Sequence, residues 1–125
     1  MREAIAAADV VLISTPEYNS SVPGALKNAL DWAARPFPDN CLRAKPVAVV
    51  GASTGLFGAV WAQAELRKVL RTIGAQVIEV ELPVGQAHEA FSADGSLLDA
   101  GLQVALAGLV EELVRRAGVL TQSGS

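Results

Sequence analysis

The sequence predicts an α/β domain in which a parallel sheet of three strands carries helices on both faces. Three observations support this fold class: three short β-branched apolar runs, helical patterns that follow each run, and a composition that is 51% hydrophobic and only 18% charged. Continuous apolar runs are typical of strands covered on both faces. Strands that alternate with helices through right-handed crossovers form a parallel sheet.

The predicted strands cover residues 10–13, 47–50 and 77–82. The first two are apolar without interruption, which indicates burial on both faces. The third alternates, because Glu79 and Glu81 fall between apolar residues. Such alternation is typical of an edge strand with one face partly in water.

The first two helical patterns lie between these strands. Pro23 fits the first turn of one helix, which is expected to stop before the Arg35-Pro36 pair. The next helix has one apolar face through residues 62–73, and Gly74 is placed to end it.

The last helical pattern carries a leucine stripe, which consists of Leu98, Leu102, Leu106, Leu109 and Leu113. Ser96 and Asp99 have the spacing of a capping box, and Gly118 is expected to close the helix. We therefore expect one domain over residues 1–118 and a frayed tail over residues 119–125.

Composition excludes several functional classes. Ten Lys and Arg against 13 Asp and Glu give a net charge of −3, so no basic stripe is available for nucleic acid. The single Cys excludes a disulfide scaffold. No apolar stretch approaches the ~20 residues of a membrane helix, and the first residues lack a signal-peptide core. The expected location is the cytoplasm, without a membrane or nucleic-acid partner.

Two loops follow the first two predicted strands and form the candidate site. In open parallel sheets, ligands bind outside the carboxyl ends of the strands. The loop over residues 14–23 contains Tyr18, with Pro16 before it and Asn19 after it. The loop over residues 51–58 is rich in glycine, so its backbone amides can approach a flat or anionic ligand closely.

The second loop also permits a hydrolase interpretation. It lacks a Walker lysine and the G-x-G-x-x-G order, but it matches G-x-S-x-G around Ser53. Glu79 or Glu81, followed by His88, would complete the chain order of a catalytic triad. A nucleophile elbow requires a helix to begin at the serine, whereas glycines continue to Gly58. The glutamates are more simply interpreted as a solvated strand face.

Together the loops resemble a known family. The sequence PEYN at residues 16–19, followed by SVPGALKNALDW at 21–32, closely resembles the flavin-binding stretch of NADPH-dependent FMN reductases. The sequence GASTGLFG at 51–58 resembles the second flavin loop of that family, and HEAF at 88–91 is also similar. The resemblance extends over about residues 2–118, and its PEYN stretch is the most specific part.

This resemblance implies a flavodoxin-like fold, bound FMN, and hydride transfer from NAD(P)H through the flavin to a small-molecule acceptor. The acceptors that it implies are quinones, azo compounds, free flavin and metal oxyanions. The implied cofactor-binding residues line the isoalloxazine or donate hydrogen bonds to its pyrimidine end, and they are Pro16, Glu17, Tyr18, Asn19, Ser53, Thr54 and Gly55. No catalytic side chain and no metal are implied, because the flavin itself carries out the hydride chemistry.

The sequence departs from the family at its start. Family members begin with a strand and a Gly-Ser-x-Arg-x-x-Ser-type loop around the FMN phosphate, whereas residues 2–9 here resemble the helix before the family's third strand. We therefore expect a partial flavodoxin-like domain with three strands. Hydrogen bonds to a charged phosphate contribute about 1.5–3 kcal/mol each. Loss of several would weaken FMN binding on the order of a thousandfold, and the chain alone would then be inactive.

A non-catalytic alternative follows from the same departure. The first strand would have an open edge, so the chain could be a flavodoxin-like interaction module that pairs this edge with another chain. The family resemblance also implies a homodimer or a larger homo-oligomer. Trp32 and Trp61 are expected in packing or subunit contacts, and Lys27 and Arg67 are expected to be solvated or interfacial.

Overall fold

The computed structural model describes residues 1–18, 21–36, 39–52, 59–80, 82–85, 93 and 99–124. Strands and helices alternate along these residues. Their order is α1 (Arg2–Ala7), β1 (Val11–Thr15), α2 (Gly24–Ala33), β2 (Pro46–Ala52), α3 (Val60–Ile73), β3 (Gln76–Val77), β4 (Pro83–Val84) and α4 (Ala100–Gly124). The predicted α/β fold class is confirmed.

The sheet is parallel, and β2 lies at its centre. β1 pairs with β2 in parallel from Val11 opposite Val47 to Thr15 opposite Gly51. β3 and β4 both pair in parallel with the other edge of β2. β1 therefore ends at Thr15 opposite Gly51, one residue before the end of β2 at Ala52, and the two candidate loops leave the same edge of the sheet.

The third predicted strand is broken in the middle. Gln76 of β3 pairs with Pro46, which lies 30 residues earlier (76 − 46), whereas Pro83 of β4 pairs with Gly51, which lies 32 residues earlier (83 − 51). The chain therefore contains two extra residues between β3 and β4. Gln63 replaces the missing sheet contacts, because its side chain accepts a hydrogen bond from the Leu82 amide and donates one to the Leu82 carbonyl, each at 3.3 Å. The prediction of one continuous strand over 77–82 was therefore wrong.

Helices cover β2 on both faces, as predicted. On one face, α2 and α3 form a core with the sheet whose buried members are Leu30, Ala33, Leu42, Val47, Val49, Leu66, Leu70, Ile73 and Val77. On the opposite face, Leu109 and Leu113 of α4 pack against Ala48 and Ile78. These two leucines belong to the predicted leucine stripe of the last helix.

The coverage of β1 is less complete than the sequence predicts. Val11 and Ile13 pack toward α2 and α3, so Leu12 and Ser14 face the side of α4. Leu12 is nevertheless 46% exposed, because α4 packs over β2 rather than β1. Among the described residues, β1 pairs only with β2, and its outer edge carries no strand.

The helix ends test the predicted boundaries. Gly74 ends α3 in a left-handed conformation (φ 112°), as predicted. α4 begins only after Asp99, whose carboxylate accepts a hydrogen bond from the Leu102 amide at 3.0 Å, so Asp99 rather than Ser96 precedes the first turn. The helix also continues past Gly118 to Gly124, which corrects its predicted end. No helix among the described residues is long and apolar enough to cross a bilayer.

An ion-pair cluster lies on α4. Arg115 and Arg116 both donate hydrogen bonds to the carboxylate of Glu112, at 2.6 Å and 3.0 Å for the shortest contact of each. The Arg115 bond, followed by the Arg116 bond, lowers the pKa of Glu112 from its ordinary value near 4.5 to about 2. Glu112 is therefore ionised at neutral pH.

Candidate functional site

The candidate site lies where β1 and β2 end side by side. Of the predicted cofactor-binding residues, Pro16, Glu17 and Tyr18 are described and all follow β1 directly. Asn19, Ser53, Thr54 and Gly55 lie outside the described residues, so their roles stay predictions.

The loop after β1 presents Tyr18 to solvent. The backbone amides and carbonyls of Tyr18 and Ser21 bond each other reciprocally at 3.0 Å, which closes a tight turn. Thr15 is buried, and its hydroxyl donates to the Pro16 carbonyl at 2.7 Å. The Tyr18 side chain itself is 61% exposed. An exposed aromatic ring on a closed turn can stack against a flat ligand without rearrangement of the backbone.

The same loop is attached to α3. One carboxylate oxygen of Glu17, Oε2, accepts a hydrogen bond from the Ala62 amide at 2.9 Å, in the first turn of the helix. One turn later, Glu65 Oε2 accepts a hydrogen bond from the Ser21 hydroxyl at 2.6 Å. The family resemblance implies a flavin contact for Glu17, and the sequence does not predict this contact with the helix. The detectable signal was that α3 begins after Ala59 and has no capping side chain of its own.

Gly51 lies where the end of β1, the end of β2 and the start of α3 meet. A Cβ at this position would lie 2.8 Å from the Thr15 carbonyl oxygen, 3.0 Å from Gln63 Nε2 and 3.1 Å from the Ala59 Cβ. Backbone and side-chain atoms of these elements already fill the space, so the position admits no side chain of its own.

Two basic residues that were expected to be solvated or interfacial differ in their burial. Lys27 is exposed, as predicted, and it pairs with Asp31 at 2.7 Å. Arg67 is only 6% exposed, which corrects the prediction. It lies beneath the segment that joins β3 and β4, with Nη1 3.5 Å from the Val80 carbonyl and Nε 3.9 Å from Glu79 Oε2. Arg67 therefore supports the irregular part of the sheet.

The hydrolase interpretation gains no support from the described residues. Glu79 is exposed, as expected for a solvated strand face, and its carboxylate pairs with Arg71 at 2.5 Å. Ser53, Glu81 and His88 lie outside the described residues, so no triad geometry can be measured.

Both tryptophan side chains are partly exposed. Trp32 is 62% exposed and Trp61 is 50% exposed. Arg2 donates to the Trp32 carbonyl at 2.8 Å and lies 5.7 Å from the centre of its ring. Packing and a subunit contact were the expected roles of these side chains, and both stay predictions.

Comparison with known proteins decides the family. The model of the NADPH-dependent FMN reductase family matches residues 1–89. The chain belongs to that family. The resemblance inferred from the two loops is thereby confirmed.

Individual relatives agree with this assignment. The NAD(P)H-dependent FMN reductase PA1204 of Pseudomonas aeruginosa is 48% identical over 99 residues, which cover 78% of this chain and 53% of that protein. A quinone reductase of Escherichia coli K12 is 47% identical over 78 residues, which cover 62% of this chain and 41% of that protein. The chain spans about half the length of the curated relatives it matches.

A solved structure confirms the flavodoxin-like fold. FerB, a flavoenzyme NAD(P)H:(acceptor) oxidoreductase from Paracoccus denitrificans, superimposes with a TM-score of 0.79 at 42% sequence identity. The superposition covers 94% of this chain and 65% of that chain.

Proposed function

We propose that this chain is part of an NAD(P)H-dependent FMN reductase and binds the isoalloxazine of FMN between the loops that follow β1 and β2. The observation that carries the proposal is the side-by-side ending of the parallel strands β1 and β2, with the Tyr18 ring 61% exposed just beyond the end of β1. An exposed aromatic ring at the carboxyl ends of parallel strands fits a flat heteroaromatic ligand. FMN, when bound, supplies the hydride chemistry.

The residue roles follow from the loops. Tyr18 stacks along the face or edge of the flavin, and Pro16 holds the start of the loop in a restricted conformation. Asn19 meets the polar rim of the ring, and the loop containing Ser53, Thr54 and Gly55 supplies hydrogen-bond donors to its pyrimidine end. Donors at that position stabilise a reduced, anionic ring.

The acceptor and the assembly are also proposed. Quinones, azo compounds, free flavin and metal oxyanions are the acceptor classes, and the relatives named quinone reductases favour quinones. We further propose a homodimer or a larger homo-oligomer in the cytoplasm. The exposed rings of Trp32 and Trp61 support self-association.

FMN titration of the purified chain tests the proposal. We expect the flavin fluorescence to be quenched on binding, and the Tyr18→Ala variant to bind FMN about three- to tenfold more weakly, since an aromatic contact contributes about 0.5–1.5 kcal/mol. Trp32→Ala is the matched control, because it removes an equally exposed ring at the opposite end of α2. It should leave the affinity unchanged.

Two results would contradict the proposal. One is that an excess of the chain over FMN leaves the fluorescence of the flavin unchanged. The other is that Trp32→Ala weakens binding as much as Tyr18→Ala. If FMN binds, oxidation of NADPH in the presence of a quinone, followed by nicotinamide absorbance, tests whether the chain alone completes the reaction.

One observation favours a second candidate function, a non-catalytic module that pairs its strand edge with another chain. The outer edge of β1 carries no strand among the described residues, and Leu12 beside it is half exposed. Open edges of this kind are templates for pairing. If the chain does not bind FMN but elutes as a stable oligomer in size-exclusion chromatography, this module is favoured. If Leu12→Lys dissociates that oligomer, the contact lies at β1.

A further inference from the structure

The helix α3 begins without a cap from its own sequence. The residue before its first turn is Ala59, which has a left-handed backbone (φ 61°, ψ 32°) and no side-chain acceptor. The first turn also contains no acidic residue. The first four amides of a helix have no partner within the helix, so they bond to side chains, ligands or water.

Glu17 supplies that acceptor from the loop after β1. Its Oε2 atom lies 2.9 Å from the Ala62 amide nitrogen, although the two residues are 45 positions apart in the sequence. The Glu17 side chain is partly buried at this contact. A carboxylate at a helix N-terminus is favoured both by the hydrogen bond and by the helix dipole.

A second contact attaches the other end of the loop to the same helix. Ser21 donates to Glu65 one turn beyond Ala62, and the backbone of Ser21 pairs with that of Tyr18. Tyr18 therefore lies between two points of attachment to α3. The same helix begins directly after the second loop, which ends at residue 58.

We propose that Glu17 is a positioning residue, whose carboxylate caps α3 and thereby holds Tyr18 at a fixed place relative to the start of that helix. This role differs from the direct flavin contact that the family resemblance implies for Glu17, since the carboxylate acts through the Ala62 amide. The effect of this cap on flavin binding rests on the proposed function, whereas the hydrogen bond that caps α3 does not.

Amide hydrogen exchange tests the cap without flavin. In Glu17→Ala, we expect the Ala62 amide to exchange about fivefold faster, which corresponds to about 1 kcal/mol. The paired amides of Tyr18 and Ser21 should also exchange faster, while the Val49 amide in the centre of the sheet should not change. Glu17→Gln should restore most of the protection, because its amide oxygen can accept the same hydrogen bond.

Glu3→Ala is the matched control, because it removes an exposed glutamate from the first turn of α1. It should leave the exchange of Ala62 unchanged. Unchanged Ala62 exchange in Glu17→Ala would overturn the cap. Faster exchange at Ala62 with no change at Tyr18 and Ser21 would overturn the coupling between the cap and the loop.

FMN affinity then tests the role at the flavin. If Glu17 acts only by positioning, the FMN affinity of Glu17→Gln should lie within about twofold of that of the original chain, while Glu17→Ala should bind FMN about fivefold more weakly. If Glu17→Gln keeps Ala62 protected but loses as much FMN affinity as Glu17→Ala, Glu17 contacts the flavin directly and the positioning role is wrong. If the original chain binds no FMN, the proposed function and the role at the flavin fail, and the exchange experiment still decides the cap.

Discussion

Replacing Gly51 with alanine would add one methyl group at the point where β1, β2 and α3 meet. The new Cβ would lie 2.8 Å from the Thr15 carbonyl oxygen, about 0.6 Å closer than the 3.4 Å at which ordinary contacts begin. This oxygen belongs to the backbone of Thr15, which pairs with Gly51 in the sheet. It therefore cannot move away from the new methyl group as a side-chain atom could. Overpacking of this kind costs about 1–3 kcal/mol, and we expect a value in the upper half of that range.

Gly108→Ala is the matched control for this substitution. Gly108 lies within α4, and no heavy atom lies within 4 Å of the Cβ that alanine would add. An alanine in a helix is favoured over glycine by about 0.5–1 kcal/mol, so this variant should be more stable than the original chain. The same chemical change therefore has opposite expected signs at the two positions.

Urea denaturation followed by circular dichroism measures both effects. We expect Gly51→Ala and Gly108→Ala to differ by about 3 kcal/mol in the free energy of unfolding, with similar slopes in urea. A domain of this size should shift its Tm by roughly 3–5 °C for each kcal/mol. If Gly51→Ala has the same urea midpoint as the original chain while Gly108→Ala is stabilised, the junction at Gly51 is not closely packed and the reasoning is refuted.

Three further substitutions test other contacts. Asp99→Ala should cost about 1 kcal/mol of unfolding free energy in urea by removing the cap of α4, whereas Asp99→Asn should keep most of it. Gln63→Leu should cost about 2 kcal/mol or more, because it leaves the amide and carbonyl of Leu82 buried without partners, and an unchanged Tm would contradict their dependence on Gln63. Hydrogen bonds from Arg115 hold the pKa of Glu112 at about 2 in the folded chain. Because the ordinary pKa of an unfolded glutamate is about 4.3, the stabilisation is present above that pH and is lost as the pH falls toward 2. The Tm difference between the original chain and Glu112→Gln should therefore shrink over that interval, and a difference independent of pH would count against the ion-pair cluster.

The sheet could be predicted from the sequence where local pattern decides the structure. β1 and β2 follow from continuous β-branched runs, because such runs are typical of strands covered on both faces, although Leu12 of β1 is 46% exposed. The break between β3 and β4 could not be predicted in this way. Its cause is Gln63, which lies 19 residues before Leu82 on another element and takes the place of a neighbouring strand. A local pattern contains no information about such a contact.

The candidate site could be located from the sequence, but its internal contacts could not. The rule that ligands bind at the carboxyl ends of parallel strands identified both loops. The contact of Glu17 with Ala62 joins residues 45 positions apart, and its one local sign is the missing cap of α3. Arg67 and Arg71 lie one turn apart on α3, yet Arg67 is buried and Arg71 is exposed, and this difference is visible only once the sheet is in place.

The isolation of Tyr18 has a practical consequence. It is the one tyrosine of the chain, and its ring is mostly exposed at the candidate site. A reagent that modifies phenols, such as a nitrating agent, would therefore mark a single known position. A ligand that covers the ring should slow this modification, so the occupancy of the site could be followed by mass spectrometry in the unaltered chain. The modification rate of Tyr18 can therefore report whether a ligand occupies the surface beside it.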